Sequence, residues 1–457
     1  MTQSRHVRRG VCAAMSASSG LTIALAVARL VIALALLAYA FDWRSPLLAS
    51  VRPWALAALI VLPVALILAD VRALRSAAHP RGACTLNAIA LGLAAASLAC
   101  VLSLETDFHW TRRQVLGGDP AQLAKLGRHI MVGYRNADEL HALIERRAIA
   151  GVFVAAHNVQ GRSAAAIKRE IAVLQEMRRQ QGLPDLLIAA DQEGGSVSRL
   201  SPPLAPLPPL ASIVARYADP TERRRAVADY AAVHARELAD LGINLNLAPV
   251  VDLTPQVVNG NDRLTRISSR AISGDPQIVT EVAETYCSQL LAHGVRCTLK
   301  HFPGLGRVLA DTHLGPADLT TSPSELAAAD WRPFRILMSQ TDVAVMLSHA
   351  RLTAMDPDHP VSFSRPVVGD LLRGEWGYDG VLMTDDFSMG AVYRSTEGIA
   401  GGSVAALNAG VDLVLISYDV DQLYVSMDAL MRADRVGTLR ADALQQSDRR
   451  LWRAFAR

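Results

Sequence analysis

The sequence predicts an α/β protein: a (β/α)₈ barrel of the TIM type, preceded by about three transmembrane helices. Two observations lead to this prediction. Three long apolar runs lie within the first hundred residues, and from about residue 106 onward short apolar runs alternate with amphipathic stretches. We therefore expect a membrane region over residues 1–105 and a barrel domain over residues 106–457.

The three N-terminal runs approach the length of membrane-spanning helices. They are Leu21–Phe41, which contains Arg29, Trp54–Ala69, which contains Pro63, and Cys84–Leu104. A helix needs about 20 apolar residues to cross a bilayer and tolerates a proline, so we expect three crossings. A re-entrant or interfacial segment is the alternative for the middle run. The first run lacks the small-residue cleavage pattern of a signal peptide after Phe41, so we expect it to be retained.

Arginines on the two sides of these runs predict their orientation. One side carries Arg5, Arg8, Arg9, Arg72, Arg75 and Arg81, and the other carries Arg44, Arg52, Arg112 and Arg113. The larger number marks the cytoplasmic side, which places the N-terminus in the cytoplasm. After three crossings the C-terminal domain lies outside it. We therefore expect a multi-pass protein of the inner membrane with a periplasmic or otherwise extracytoplasmic catalytic domain.

Net charge and cysteine usage bear on partners and compartment. The formal charge is only +3 over 457 residues, and no dense block of Lys and Arg with interleaved aromatics occurs, so nucleic acid is not an expected partner.

Cys287 and Cys297 are the two cysteines of the barrel domain. They could pair in an oxidising compartment, but the interpretation favoured here is two buried free thiols.

The eight apolar runs of the barrel domain lack polar alternation, as expected of parallel strands buried on both faces. They are His129–Tyr134, Gly151–Ala155, Leu186–Ala190, Ile243–Val250, Val295–His301, Val343–Ser348, Gly380–Thr384 and Asp412–Ile416. Helical patterns such as Ser163–Gln181, Thr221–Leu241 and Pro276–His293 separate them. An open doubly wound sheet is the alternative, but no glycine-rich dinucleotide loop follows the first strand, so a closed barrel is favoured.

Polar side chains follow five of these strands, at the ends where barrels of this kind hold active sites. They are Asp191, Gln192, Glu193, Asp252, Lys300, His301, His349, Asp385 and Asp386. Neighbouring strand residues point to opposite faces, so we expect one of Asp385 and Asp386 to face the pocket. A carboxylate there, opposed by a proton donor, suits a glycosidase with a covalent intermediate. An acidic pair capping the helix that begins near Ser388 is the alternative.

The triplet Asp311-Thr312-His313 offers the proton donor. A histidine titrates near neutrality, and a neighbouring carboxylate stabilises its imidazolium form. A solvated loop is the alternative for this triplet. His301, His313, His349 and Asp385 could instead bind a metal, but no closely spaced His-x-His or HExxH motif supports this. We therefore expect neither a metal nor an organic cofactor.

The motifs at these positions resemble glycoside hydrolase family 3, in its branch of single-domain β-N-acetylhexosaminidases. The resemblance runs from about residue 120 to 440. It rests on DQEGGSVSRL (191–200), NLNLAPVVD (244–252), SSRAISGDP (268–276), KHFPG and DTH within 300–313, and GVLMTDDFSMGA (380–391). It implies a (β/α)₈ hydrolase that releases terminal β-linked N-acetylglucosamine from cell-wall or envelope glycans, with retention of configuration. Residues 1–105 lie outside the resemblance.

The resemblance also implies roles for individual residues. Asp385 would be the nucleophile that forms the glycosyl-enzyme, and His313, held by Asp311, would be the acid/base. The residues matching positions that bind the terminal sugar are Asp191, Arg199, Arg270, Lys300 and His301. Their carboxylate, guanidinium, ammonium and imidazole groups suit vicinal hydroxyls.

One departure from the family pattern and two alternative functions remain. Relatives usually read K-H-F-P-G-H-G, whereas this chain has Leu305 in place of the second histidine. The departure puts the leaving-group preference in question more than the chemistry.

A phosphorylase is one alternative function, because a histidine donor leaves less negative charge near an incoming phosphate than a carboxylate does. An inactive, membrane-tethered glycan-binding protein is the other.

Overall fold

The computed structural model describes residues 3–75, 80–255, 263–340 and 342–455, with side chains from residue 20 onward. The chain divides into two compact units, Met1–Arg112 and Arg113–Arg457. Within the part described, the first unit is helical and the second contains the strands.

Three long helices make up the first unit: α1 (Gln3–Phe41), α2 (Arg52–Arg75) and α3 (Arg81–Leu116), with a 3₁₀ turn at Pro46–Leu48. Each contains a segment long and apolar enough to cross a membrane. The prediction of three apolar N-terminal helices is confirmed. The helices extend beyond the predicted apolar runs because backbone hydrogen bonding continues through the flanking polar residues.

Small and apolar side chains pack these helices together. Ala33, Ala90 and Ala94 form one contact and are fully buried. Trp43 packs in a second cluster and donates from Nε1 to Glu105 Oε1 at 2.5 Å. Large apolar side chains such as those of Leu21 lie exposed on the outside, where hydrocarbon would be a better solvent than water.

Eight parallel strands of the second unit close into a barrel in chain order. They are β1 (Ile130–Val132), β2 (Gly151–Phe153), β3 (Leu187–Ala190), β4 (Leu245–Asn246), β5 (Arg296–Phe302), β6 (Ala344–Leu347), β7 (Val381–Asp386) and β8 (Leu413–Ile416). All eight predicted strands and the closed barrel are confirmed. β4 is shorter than predicted: it ends at Asn246, although Val250 pairs with Lys300 in an isolated bridge.

Helices surround the barrel and occupy its connections. They are Pro120–Gly127, Ala137–Glu145, Ala156–Val159, Ala164–Gln180, Leu210–Arg216, Pro220–Leu241, Ile267–Arg270, Pro276–Ala292, Pro323–Ala328, Trp331–Gln340, Gly390–Tyr393, Gly398–Ala409, Gln422–Val436 and Ala441–Phe455, with a π-helix at Pro366–Glu375 and a 3₁₀ turn at Val361–Phe363. Ser163 and Asp219 cap two of the predicted helices through their side-chain oxygens.

Alternate residues of the strands fill the barrel interior. Met131, Phe153, Met346 and Met383 belong to this buried cluster, and the end of the C-terminal helix packs against it. At the start of β5, Arg296 Nη2 donates to the carbonyl of Ala454 at 2.7 Å. The strand starts are therefore closed by a helix, while the strand ends remain available for a site.

Cys287 and Cys297 form a disulfide, so the interpretation as two free thiols is wrong. Cys287 lies on the helix Pro276–Ala292, and Cys297 lies on β5, which follows that helix. Packing of the helix on its own strand brings the two Cα atoms to 5.5 Å, within the range that a disulfide requires. Sequence spacing alone did not reveal this approach.

Candidate active site

Asp385 and Asp386, at the end of β7, have different surroundings. Asp385 lies close enough to His301, His349 and His313 to interact with them electrostatically. Burial would raise the pKa of Asp385, but these imidazoles hold it below its ordinary value. Asp386 instead accepts hydrogen bonds from the backbone amides of Ser388, Ser417 and Tyr418. Asp385 is therefore the reactive candidate, and Asp386 holds the loops together.

His313 is paired with Asp311 on the loop after β5. Its Nδ1 donates to Asp311 Oδ1 at 2.9 Å. Burial would lower the pKa of His313, but the hydrogen bond to Asp311 and the charge of Asp385 raise it. Asp311 also accepts from the Leu264 amide at 2.7 Å and from Thr265 Oγ1 at 2.8 Å. These bonds outweigh burial and lower the pKa of Asp311, so its carboxylate stays ionised beside the imidazole.

The loop that carries His313 is bonded to the turn after β7. The amide of Gly390 donates to the carbonyl of His313 at 2.9 Å, and the amide of Ala391 donates to that of Thr312 at 3.0 Å. A Cβ at residue 390 would lie 2.5 Å from the carbonyl of Leu314, so only glycine fits there. The segment with the imidazole is thereby fixed to the segment that follows Asp385.

A buried charge cluster lies between the ends of β3 and β5. Lys300 Nζ lies 2.6 Å from Asp191 Oδ1 and 2.6 Å from Glu193 Oε1. Arg270 Nη2 donates to Glu193 Oε1 at 2.6 Å, and its Nε donates to Oε2 at 3.0 Å. Burial disfavours the charged forms, yet the two cations lower the pKa of Glu193 to about 2, and the carboxylates raise that of Lys300. Glu193, Lys300 and Arg270 are therefore ionised at neutral pH.

Two further imidazoles are fixed by hydrogen bonds. His301 Nδ1 donates to Asp252 Oδ2 at 2.7 Å. His349 Nε2 donates to the carbonyl of Asp386 at 3.0 Å, so its Nδ1 accepts from the hydroxyl of Ser362 at 2.7 Å. Burial lowers the pKa of His349. Each imidazole therefore has a defined tautomer.

Most of the sequence-predicted site residues come together in one network. Asp191, Lys300 and Arg270 belong to the charge cluster, and Arg270 Nη2 lies 3.5 Å from His301 Nε2. Arg199 is the exception. Its backbone amide donates to the carbonyl of Asp191, but its exposed guanidinium makes no hydrogen bond with the residues the structure describes.

Leu305 lies in an apolar cluster and is only 4% exposed. It is buried against Ile267, Ala271 and Ala350, and its amide donates to Asp252 Oδ1 at 2.8 Å. The leucine therefore fills a gap between the segment after β4 and the loop after β5.

Three contributors were not assigned from the sequence: Glu193, Asp252 and Thr265. Glu193 and Asp252 lie at strand ends that the sequence predicts to hold the site, but the sequence assigns neither a role. Thr265 has no such positional signal. Its hydroxyl contacts both Asp311 and His313, and its carbonyl accepts from Arg270 Nη1 at 2.8 Å. It thus connects the dyad to the charge cluster.

The arrangement places a carboxylate and an imidazole in one site. The pKa of Asp385 is lowered and that of His313 is raised, so the charged form of each group is favoured. One can attack a carbon atom while the other gives a proton to a departing oxygen. Among the described residues no group of three or more His, Cys, Asp or Glu side chains is arranged to hold a metal ion.

Comparison with protein families and curated proteins gives consistent matches for the barrel. The family model "Glycosyl hydrolase family 3 N terminal domain" matches residues 120–454. The beta-hexosaminidase of Xanthomonas euvesicatoria pv. vesicatoria is 36% identical over 276 residues, which are 60% of this chain and 78% of the relative. The beta-hexosaminidase of Stenotrophomonas maltophilia (strain R551-3) has the same identity and coverage.

Solved structures match the same part of the chain. A glycoside hydrolase family 3 β-N-acetylglucosaminidase from Paenibacillus sp. str. FPU-7 is 30% identical, with a TM-score of 0.66 over 73% of this chain. The match covers 61% of that longer protein. The β-N-acetylhexosaminidase of Beutenbergia cavernae is also 30% identical, with a TM-score of 0.63, and the match covers 73% of this chain and 98% of that one.

Proposed function

We propose that this chain, which belongs to glycosyl hydrolase family 3, is a retaining hydrolase that releases non-reducing terminal β-linked N-acetylglucosamine. The observation that carries the proposal is the Asp311–His313 pair in one site with Asp385. The relatives named beta-hexosaminidase and the structural neighbour named β-N-acetylglucosaminidase support the choice of sugar.

The proposed reaction has two displacements. In the first, a carboxylate oxygen of Asp385 attacks the anomeric carbon, and the glycosidic C–O bond breaks as His313 Nε2 gives its proton to the departing oxygen. In the second, neutral His313 takes a proton from water, and the oxygen of that water displaces Asp385 from the anomeric carbon. The carboxylate and the imidazolium are both restored, and the sugar leaves with its original configuration.

The charge cluster is proposed to hold the terminal sugar. Asp191 is partly exposed and can accept from a hydroxyl while Lys300 donates to it. Arg270 and His301 are positioned by Glu193 and Asp252, so their remaining polar atoms have fixed directions. Arg199 remains a predicted sugar-binding residue that would have to reorient on binding.

A panel of nitrophenyl glycosides tests the activity. The purified full-length protein should cleave the N-acetylglucosaminide at least about tenfold faster than the glucoside, with the β-anomer appearing first by proton NMR. Added phosphate should neither raise the rate nor yield the sugar 1-phosphate. A phosphate-dependent product would establish the phosphorylase instead. Sugar binding without turnover would establish a glycan-binding protein.

The three apolar helices are proposed to anchor the barrel outside the cytoplasm, where it would meet cell-envelope glycans. The arginine bias supports this orientation. The disulfide between Cys287 and Cys297 supports it independently, because such bonds persist in oxidising compartments.

Protease treatment of intact spheroplasts tests this orientation. Added protease should digest the barrel of the full-length protein without lysis, and Cys287 and Cys297 should react with a maleimide only after reduction. Digestion that requires lysis, together with maleimide labelling of Cys287 and Cys297 in the unreduced protein, would place the barrel in the cytoplasm.

A further inference from the structure

Three exposed leucines flank the proposed acid/base pair. The exposed fractions are 53% for Leu264, 64% for Leu309 and 43% for Leu314. The amide of Leu264 donates to Asp311 Oδ2 at 2.7 Å, and that of Leu314 donates to the carbonyl of Asp311 at 3.0 Å. Leu309 precedes Asp311 by two residues in the same loop. Asp311, which orients His313, therefore also holds the backbone of Leu264 and Leu314.

This placement is not typical of the rest of the barrel surface. In the described part of the barrel unit, the large apolar side chains that are exposed are Val173, Leu264, Leu291, Leu309, Leu314, Tyr418, Val436 and Trp452. Three of these eight lie on the two segments bonded to Asp311. Single exposed apolar residues are ordinary, whereas a group beside a site indicates contact with a ligand.

The proposed reaction determines what would occupy the space beside these leucines. His313 must reach the glycosidic oxygen, so the group that departs with this oxygen lies next to the His313 loop. The sugar being transferred lies on the other side of that bond, near Asp191 and Lys300. The polar cluster and the three leucines thus serve different parts of one substrate.

We propose that Leu264, Leu309 and Leu314 form an apolar subsite for the leaving group. The chain would then prefer N-acetylglucosaminides whose leaving group carries an alkyl or aryl surface over those with only hydroxyls. This inference rests on the proposed hydrolase activity. It also assigns the leaving-group preference to these exposed residues and not to the buried Leu305.

Alkyl β-N-acetylglucosaminides from methyl to hexyl test the subsite. Their leaving alcohols have nearly equal acidity, so chain length changes apolar contact with little change in bond-breaking chemistry. For the wild-type protein, kcat/KM for sugar release should rise about two- to fourfold for each methylene that reaches the leucines. In L309Q and L314Q the ratio of hexyl to methyl kcat/KM should fall at least about fivefold.

Val436→Gln is the matched control, since Val436 is 72% exposed and ends a helix outside the site. It should keep the wild-type hexyl-to-methyl ratio. A wild-type protein that releases sugar at a rate independent of chain length would overturn the subsite and leave the hydrolase intact. A wild-type ratio retained in both leucine variants would overturn it as well. Failure to hydrolyse any member of the series would overturn the hydrolase itself.

Discussion

The carboxylates of Asp385 and Asp386 are adjacent in sequence and have opposite hydrogen-bonding environments. Asp386 accepts from the amides of Ser388, Ser417 and Tyr418 and from the Ser417 hydroxyl. Asp385 accepts from the Asp386 amide at 2.8 Å and otherwise lies near imidazoles. Asp386 is committed to structure, whereas Asp385 is the member of the pair that is proposed to act on the substrate.

Asp385→Asn should abolish turnover of nitrophenyl N-acetylglucosaminide, with a loss of at least about a thousandfold, because an amide cannot form the glycosyl ester. The melting temperature should stay within a few degrees of the wild type, since the side chain makes few bonds. Rates and thermal melts of the full-length protein in detergent provide the check. Near-normal turnover by the variant would show that Asp385 is not the nucleophile.

Asp386→Asn should have its main effect on stability. One carboxylate oxygen becomes an amide group that cannot accept from Ser417 or Tyr418, which leaves two part-buried donors without this acceptor and costs about 1 kcal/mol. We expect a clear fall in melting temperature, measured beside the Asp385 variant. An unchanged melting temperature would contradict the structural role.

The pH dependence of kcat/KM should follow the two shifted groups. The raised pKa of His313 keeps its acid form present above about pH 6.5, and activity should fall only as the pH rises through that raised pKa. The lowered pKa of Asp385 keeps the carboxylate ionised down to below about pH 3.9. The rate profile should therefore be a broad bell.

Asp311→Asn should move the alkaline limb of this profile to lower pH. It removes the charged acceptor that raises the pKa of His313, and it should lower kcat by about 10²–10⁴-fold at pH 7. Asp240→Asn is a suitable control, since Asp240 is largely exposed and pairs with Lys168. An alkaline limb that does not move would show that Asp311 does not set this pKa.

Glu193→Gln should reduce stability at neutral pH by about 3 kcal/mol, because Arg270 loses its buried anionic partner and Lys300 loses one of two. The pKa of Glu193 is depressed to about 2, so its stabilising effect is present above about pH 4.3 and is lost as the pH falls toward 2. The melting temperatures of the wild type and of Glu193→Gln should therefore approach each other as the pH is lowered from 7 to 3. A constant difference over that range would contradict the charge pairing.

Leu305→His restores the residue that the family pattern carries, yet it should not improve activity. The position is buried among Ile267, Ala271 and Ala350, so an imidazole there loses apolar contacts and lacks an evident partner. We expect a destabilisation of about 2 kcal/mol and no gain in kcat/KM. An increase in kcat/KM without a fall in melting temperature would show that residue 305 contributes to the active site.

The barrel was predictable because its strands are buried on both faces and their ends carry the polar residues. The rule that parallel strands expose their carboxyl ends at one rim was sufficient to bring Asp191, Lys300 and Asp385 together. The disulfide was not predictable from spacing, since it depends on how the helix with Cys287 packs on β5.

The fine structure of the site depended on contacts between segments distant in sequence. Thr265 lies 46 residues from Asp311, and no local pattern marks it as the residue that bonds to the dyad. The family pattern shows only that Leu305 replaces a histidine, whereas the apolar cluster that holds it is formed by the folded chain. Neither contact could be predicted from the sequence, because each depends on how one loop packs on another in the folded chain.

The bonds from Gly390 to His313 and from Ala391 to Thr312 constrain how such barrels can be re-engineered. Grafting a foreign loop after β5 alone would leave two amides of the β7 loop without their acceptors, and a residue other than glycine at 390 would collide with the incoming backbone. The two loops are therefore a single transplantable module. Attempts to exchange specificity between related barrels should move them together.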